Sequence, residues 1–373
     1  MKTDFKILSF SDVHLGCKRL DQNELCGMLQ DILFCHIPEV RFVTICGDLF
    51  DDRIILSNNG AVYIVEFLTN FLYMCDKFGV TVRVLLGTYE HDRNQCQILK
   101  HLANSMNLKM DIEYFDKVDI EYIESLDLRI GYIPDSLPYK SSDEAIDVLK
   151  SKMTALGYDH LDYVLMHGYA EHVLPPAAHP KIVFRVEQFP FVKKCILAGH
   201  VHQHSSYKNF YYHGSIDRLA FNEEDRKGFL IVDNFKDTYK VTFVENREAH
   251  IFKTFDYTNY DGNILDRYKQ DLSHLLTTDD KKMIYVRVVH KDVNIRRALK
   301  LFTENHYPSI KFFHVTSKTK DEIVTESISV DRDIELKNYS ISTLSNDINE
   351  YLLQHKIDTL SVSEIDSLIS EFL

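Results

Sequence analysis

At 373 residues the chain is longer than one ordinary domain and suits two or three. A hydrophobic content of 45% with 12% aromatic residues describes a globular protein with a sizeable core and excludes a disordered one. The formal net charge of −13 argues against holding nucleic acid by overall charge, although local basic clusters occur at Lys193-Lys194, Arg226-Lys227, Lys281-Lys282 and His290-Lys291 with Arg296-Arg297. Taken alone, such clusters read as solvated faces.

In chain order, the apolar β-rich run at 5–10 predicts a strand, 23–36 a helix and 40–46 a second strand. Residues 58–78 carry Ala61, Ile64, Leu68, Phe71, Leu72 and Cys75 at helical spacing, with Gly79 just past the end. A strand at 80–86 and a helix at 94–106 complete an alternation that implies parallel pairing in an α/β sheet. Strands at 118–124 and 128–133, a helix at 142–156 and strands at 161–166, 194–198, 206–212, 228–233 and 239–245 suggest a second, antiparallel sheet packed on the first. A helix at 262–276, a strand at 283–289, a helix at 292–304 and a strand at 310–315 form a compact β-α-β unit. Residues 316–340 read as a polar linker, and the last forty residues return to helical spacing with apolar stripes. The seven cysteines are odd in number and lack a CxxC spacing, so reduced thiols are expected rather than disulfides or a zinc knuckle. No apolar run reaches the roughly 18 residues that span a bilayer, and the N-terminal segment lacks the parts of a signal peptide. A cytoplasmic protein with no membrane segment is expected.

Five short segments each follow a predicted strand and carry metal-ligand residues: Asp12-Val13-His14, Gly47-Asp48-Leu49-Phe50-Asp51, Glu90-His91-Asp92, His167-Gly168 and Gly199-His200-Val201-His202. Ligands in open α/β sheets bind beyond the carboxyl ends of the strands, so five such loops could converge. Carboxylate with imidazole is a ligand set for two-metal phosphoester chemistry. Asp12 and His14, two apart in extended geometry, would point the same way. Gly47 would permit a tight turn that lifts Asp48 to the sheet edge, where its two oxygens could bridge two cations. His200 and His202 could each hold a different cation. Asp51 and Asp52 read as supporting or solvent-facing carboxylates. His91 reads as a general acid, oriented by Asp92 or another carboxylate.

This set resembles the calcineurin-like metallophosphoesterase superfamily. Within it, Gly47-Asp48-Leu49-Phe50-Asp51 and the segment Tyr212-His213-Gly214-Ser215-Ile216-Asp217-Arg218 are similar to the SbcD/Mre-type DNA repair nucleases, including phage recombination exonuclease subunits. The resemblance implies an α/β fold: a two-sheet sandwich flanked by helices (1–248), a small α/β capping or DNA-binding domain (249–320), and a linker with C-terminal helices that could dock a partner ATPase (321–373). It implies Asp12, His14 and His202 on one metal, His167 and His200 on the other, Asp48 bridging them, and His91 protonating the leaving sugar oxygen. The family's third motif is Gly-Asn-His-Asp/Glu, with the Asn on the second metal. Here it reads Gly87-Thr88-Tyr89-Glu90-His91-Asp92, and alignment on His-Asp puts Glu90 in the ligand's place. The implied cofactors are two divalent ions, Mn²⁺ or Mg²⁺. The implied partners are DNA and an SbcC/Rad-type SMC-like ATPase, with a homodimer near 58–78 left open. A protein phosphatase, a small-molecule phosphodiesterase and a non-catalytic scaffold stand as alternatives, and a phage origin would place the protein in the host cytoplasm.

Overall fold

The computed structural model describes residues 4–316 apart from 56–58, 136–137, 175–179, 277–282 and 293. The C-terminal helices expected from sequence lie outside the described residues. The first sheet has six strands in the order Tyr239–Glu245, Gly228–Asn234, Phe5–Phe10, Val40–Cys46, Thr81–Leu85 and Ile112–Phe115. Its last four strands pair in parallel and its first two are antiparallel. The second sheet, also six-stranded, runs Ser205–Tyr207, Phe210–Tyr212, Val192–Gly199, Leu161–His167, Leu128–Ile133 and Asp119–Ile123.

The two sheets pack face to face through one apolar cluster to which both contribute, including Ile7, Phe42 and Leu230 from the first sheet and Ile130, Leu165 and Leu197 from the second. Helices Gln22–Phe34 and Asn59–Phe78 cover the outer face of the first sheet, and Ser142–Leu156 covers that of the second. The helix Ser142–Leu156 starts where the Ser141 hydroxyl accepts from the Glu144 amide and ends on Gly157 in the left-handed region. The α/β two-sheet sandwich flanked by helices is therefore the architecture of this chain.

Three sequence expectations differ from the structure. The second sheet is parallel through its centre, from Phe210–Tyr212 across to Leu128–Ile133, and antiparallel only at its margins. The antiparallel strands 228–234 and 239–245 instead complete the first sheet: the nearly fully buried 228–234 pairs with Phe5–Phe10, and 239–245 pairs outside it. The single strand expected at 206–212 is a tight hairpin, since Lys208 adopts φ 54° and reverses the chain. The C-terminal part of the described chain is a β-α-β-α-β unit, with strand Ile251–Asp256 preceding the elements read from sequence, and its three strands are all parallel.

One ion-pair network centred on a buried arginine joins the sheets. Arg83, only 2% exposed, reaches from the first sheet to Glu121 on the second at 2.6 Å and to Asp111 at 2.9 Å. The Tyr132 hydroxyl donates to the same Glu121 carboxylate, and its ring stacks on Phe115 at 3.5 Å. Arg83→Ala would leave Glu121 unpaired beneath Tyr132. A loss of about 3 kcal/mol is expected, read as a lower urea midpoint, because removal of one partner strands the other charge. An unchanged midpoint would show that the network does not couple the sheets.

Candidate metal centre

The parallel strands of both sheets deliver their carboxyl ends to one edge. Strand Phe5–Phe10 runs out into Asp12 and His14, Val40–Cys46 into Asp48, and Thr81–Leu85 into Gly87-Thr88. Leu161–His167 ends on His167, and Val192–Gly199 leads into His200 and His202. Eight described non-glycine residues have positive φ, and four of them are Asp12, His14, Asp48 and His200. That conformation costs an ordinary residue of order 1 kcal/mol or more, and such strain gathers at functional sites. Asp12 and His14 therefore reach the site through two left-handed residues, not through the extended geometry expected. The Asp12, Val13 and His14 amides donate to the carbonyls of Gly47 and Asp48 at 2.9–3.1 Å and hold the loop in that shape.

Glycine makes this convergence possible. A Cβ on Gly47 would lie 2.2 Å from His167 Nδ1, and one on Gly199 would lie 2.3 Å from the Cys46 carbonyl oxygen. Both are far inside van der Waals contact, so the loop backbones meet the opposing sheet with no room for a side chain.

The donor atoms fall into three groups, the first and last sharing His14: Asp12, His14 and His202; Asp48, His167 and His200; and His14, Asp51 and His91. Within each, one atom per residue lies within 4.8 Å of the others. His14 Nε2 faces His202 Nε2 at 3.2 Å, and His167 Nε2 faces His200 Nδ1 at 3.3 Å. Without an ion, each pair is satisfied only if one ring turns an N–H to the other's lone pair; a shared cation satisfies two inward lone pairs at once. Asp48 Oδ2 lies 3.3 Å from His167 Nε2 and 3.9 Å from His14 Nε2, so its carboxylate adjoins the first two groups. The donor set of oxygens and imidazoles thus fits divalent metal ions.

The surroundings orient these donors. Because a carbonyl only accepts, His167 Nδ1 donates to Cys46 O at 2.7 Å and leaves Nε2 toward Asp48. Burial opposes charging His167, but the Asp48 carboxylate outweighs it and raises the imidazole to about 10; a bound cation would take that proton's place. Asp48 itself is pulled down against its burial, chiefly by His167. His202 Nδ1 lies 2.9 Å from Glu223 Oε1. Lys227 Nζ in turn pairs with Glu223 Oε2 and donates to the His202 carbonyl, both at 2.9 Å. Burial works to raise Glu223, yet His202 and Lys227 together bring it down to about 2. The segment 212–218 fastens the same loop, with the Ser215 amide donating to His202 O at 3.0 Å. Buried His213 donates from Nδ1 to Ala198 O and meets the Ser9 hydroxyl at 2.6 Å.

The structure brings Asp12, His14, Asp48, His167, His200 and His202 to one site and sets His91 beside them, its ring edge-on to His14 at 4.9 Å. It does not bring Glu90 there. The two extra residues of the third motif coil into the short helix Tyr89–Asp92, which turns Glu90 out to solvent. Thr88, directly after Gly87, stands at the site instead, its Oγ1 3.1 Å from Asp48 Oδ2 and 3.4 Å from His200 Nδ1. Nor does Asp92 orient His91. It is buried and accepts the amides of Asp48, Phe50 and Gly87 at 2.8–3.0 Å, while His91 Nδ1 donates to the Asp51 carbonyl at 2.6 Å. Burial, reinforced by Asp48, pushes the Asp92 carboxyl up to about 6. Asp51 supports His14, 3.1 Å from its Nδ1, and Asp52 faces outward toward Lys18 and Arg93. Glu223 escaped sequence reading; its signal was the run Glu223-Glu224-Asp225-Arg226-Lys227 close behind the Gly214-Ser215 segment.

No family model and no curated protein matches the chain. Among solved structures it is similar to TT1561 of Thermus thermophilus, at 10% identity over 64% of this chain and 99% of that one, with a TM-score of 0.35. It is also similar to GAP50, the anchor in the inner membrane complex of Plasmodium, at 12% identity over 66% and 86%, with a TM-score of 0.39. At such values neither neighbour informs the site, which stands on its own geometry.

Titration with Mn²⁺ followed by calorimetry should give two ions per chain for the native protein. Asp48→Ala should lose both, and Glu223→Gln should weaken one by about 10–100-fold, the usual effect of removing a carboxylate behind a ligating histidine. Unaltered affinity in Glu223→Gln would remove Glu223 from the centre's support.

Proposed function

We propose that this chain is a metal-dependent phosphodiesterase that cleaves DNA, working on two divalent cations, Mn²⁺ or Mg²⁺. The observation that carries the reading is the pair of donor groups, Asp12/His14/His202 and Asp48/His167/His200, adjoining at the Asp48 carboxylate. Asp48 would be the ligand common to both ions, and Thr88 would stand where the family's third motif places an asparagine. Two bound divalent ions supply charge neutralisation for a phosphoryl group and lower the pKa of attacking water.

His91 is the proton donor in this reading. With Nδ1 committed to the Asp51 carbonyl, the protonated ring offers Nε2 to the leaving oxygen. Its perpendicular packing on His14 ties the acid to the metal ligands. The DNA specificity and an SMC-like ATPase partner come from the resemblance of residues 47–51 and 212–218 to the SbcD/Mre-type nucleases. Among the described residues no helix is long and apolar enough to cross a membrane.

End-labelled linear DNA incubated with Mn²⁺ should be degraded by the native chain, and a phosphopeptide should not be. Chelation with EDTA should abolish cleavage, and His91→Ala should lower the rate about 10²–10⁴-fold while still binding metal. Full activity in His91→Ala would sink the acid assignment. Fewer than one ion bound at saturating Mn²⁺ would favour a non-catalytic scaffold.

A further inference from the structure

A groove of about 520 Å³ runs along the edge strand Ile310–Thr316 and reaches the loop that follows the Gly214-Ser215 segment. Arg19, Arg287, Arg296 and Lys300 line it, and among the described residues no carboxylate does. In a chain of net charge −13, four cations without an acid are an unusual local concentration. Lys300 also meets Glu304 at 3.5 Å on the helix surface, outside the lining.

Two aromatic rings join these cations. The Arg287 guanidinium lies 4.6 Å from the centre of the Phe221 ring and is steadied by Thr254 Oγ1 at 3.0 Å. Phe313, 43% exposed, sits edge-on to Phe221 at 5.6 Å. Polyanion-binding cations beside one exposed aromatic ring, Phe313, are the chemistry of a platform for unpaired bases. A duplex keeps its bases stacked inside and gains nothing from such a ring.

The groove connects to the metal centre through few atoms. Arg19 follows His14 by five residues and donates to Leu219 O at 3.1 Å. The Leu219 amide donates to Glu223 Oε2 at 3.1 Å, and the other oxygen of that carboxylate meets His202.

We infer that this groove binds a single nucleic-acid strand, with phosphates on Arg19, Arg287, Arg296 and Lys300 and a base on Phe313. The inference rests on the phosphodiesterase reading and adds to it the class of substrate: an unpaired strand led from the small sheet to the metal ligands.

Fluorescence anisotropy of the full chain in EDTA tests binding apart from cleavage, with a labelled oligothymidylate of ~15 nucleotides as the probe. Arg296→Ala with Lys300→Ala should raise Kd about tenfold at low salt and reduce the slope of log K against log salt by about 1.4, two phosphate contacts at roughly 0.7 each. Phe313→Ala should raise Kd about fivefold or more for the oligothymidylate and leave an abasic strand unaffected. Lys236→Ala, an exposed lysine outside the groove, should change nothing. Unchanged Kd and slope in the double variant would overturn the inference, as would an equal loss in Lys236→Ala. So would equally tight binding of duplex or of poly-glutamate. Hydrolysis of bis(4-nitrophenyl) phosphate with Mn²⁺ separates the two readings, since the double variant should match the native rate. If neither protein turns it over, the phosphodiesterase reading fails, and the anisotropy result alone decides the groove.

Discussion

At the carboxyl edge of the sandwich, backbone meets imidazole with no side chain between. Gly47 lies against His167, Gly199 against the Cys46 carbonyl, and Gly87 against the amide and carboxylate of Asp48. A Cβ on Gly47 or Gly199 would wedge the sheets apart where the donor atoms gather, and one on Gly87 would displace the Asp48 loop beside it. The sheets are held at this spacing by their shared apolar layer and by the Arg83–Glu121 pair crossing it. The site exists because that packing brings loops from strands almost two hundred residues apart within hydrogen-bonding distance.

Convergence of this kind has costs that other contacts offset. Asp12, His14, Asp48 and His200 hold left-handed backbone, and Asp12, His14, Asp48 and His167 are buried. Close to them, two carboxylates have partners of opposite capacity. Asp92 collects three amides, and Glu223 sits between His202 and Lys227. Buried carboxylates and imidazoles that satisfy one another give a rigid set of donors, and rigidity is what a cation needs to find its ligands already in place.

The basic groove and the donor cluster share the loop 219–223. Leu219 and Glu223 serve the metal side, while Phe221 faces Arg287 and Phe313 on the side of the small sheet. Movement of that loop would act on both at once, and its anchor is the buried Lys227.

The sequence by itself determined the strand ends, the residue types that gather beyond them and the two-sheet α/β class. These depend on local signals: apolar runs that form strands, glycine before Asp48 and His200, and imidazole or carboxylate directly after. It also named six residues, Asp12, His14, Asp48, His167, His200 and His202, that the fold gathers. Only the tertiary structure put Glu90 in solvent and Thr88 beside Asp48, because a single helical turn over 89–92 rotates one outward and leaves the other facing Asp48. It alone decided which strands pair in the second sheet, since alternation marks a buried face but not the direction of a neighbour. It alone brought Glu223 to His202 and Arg19 to the edge of the small sheet. Those contacts join residues far apart in the chain, and no local pattern encodes the distance between them.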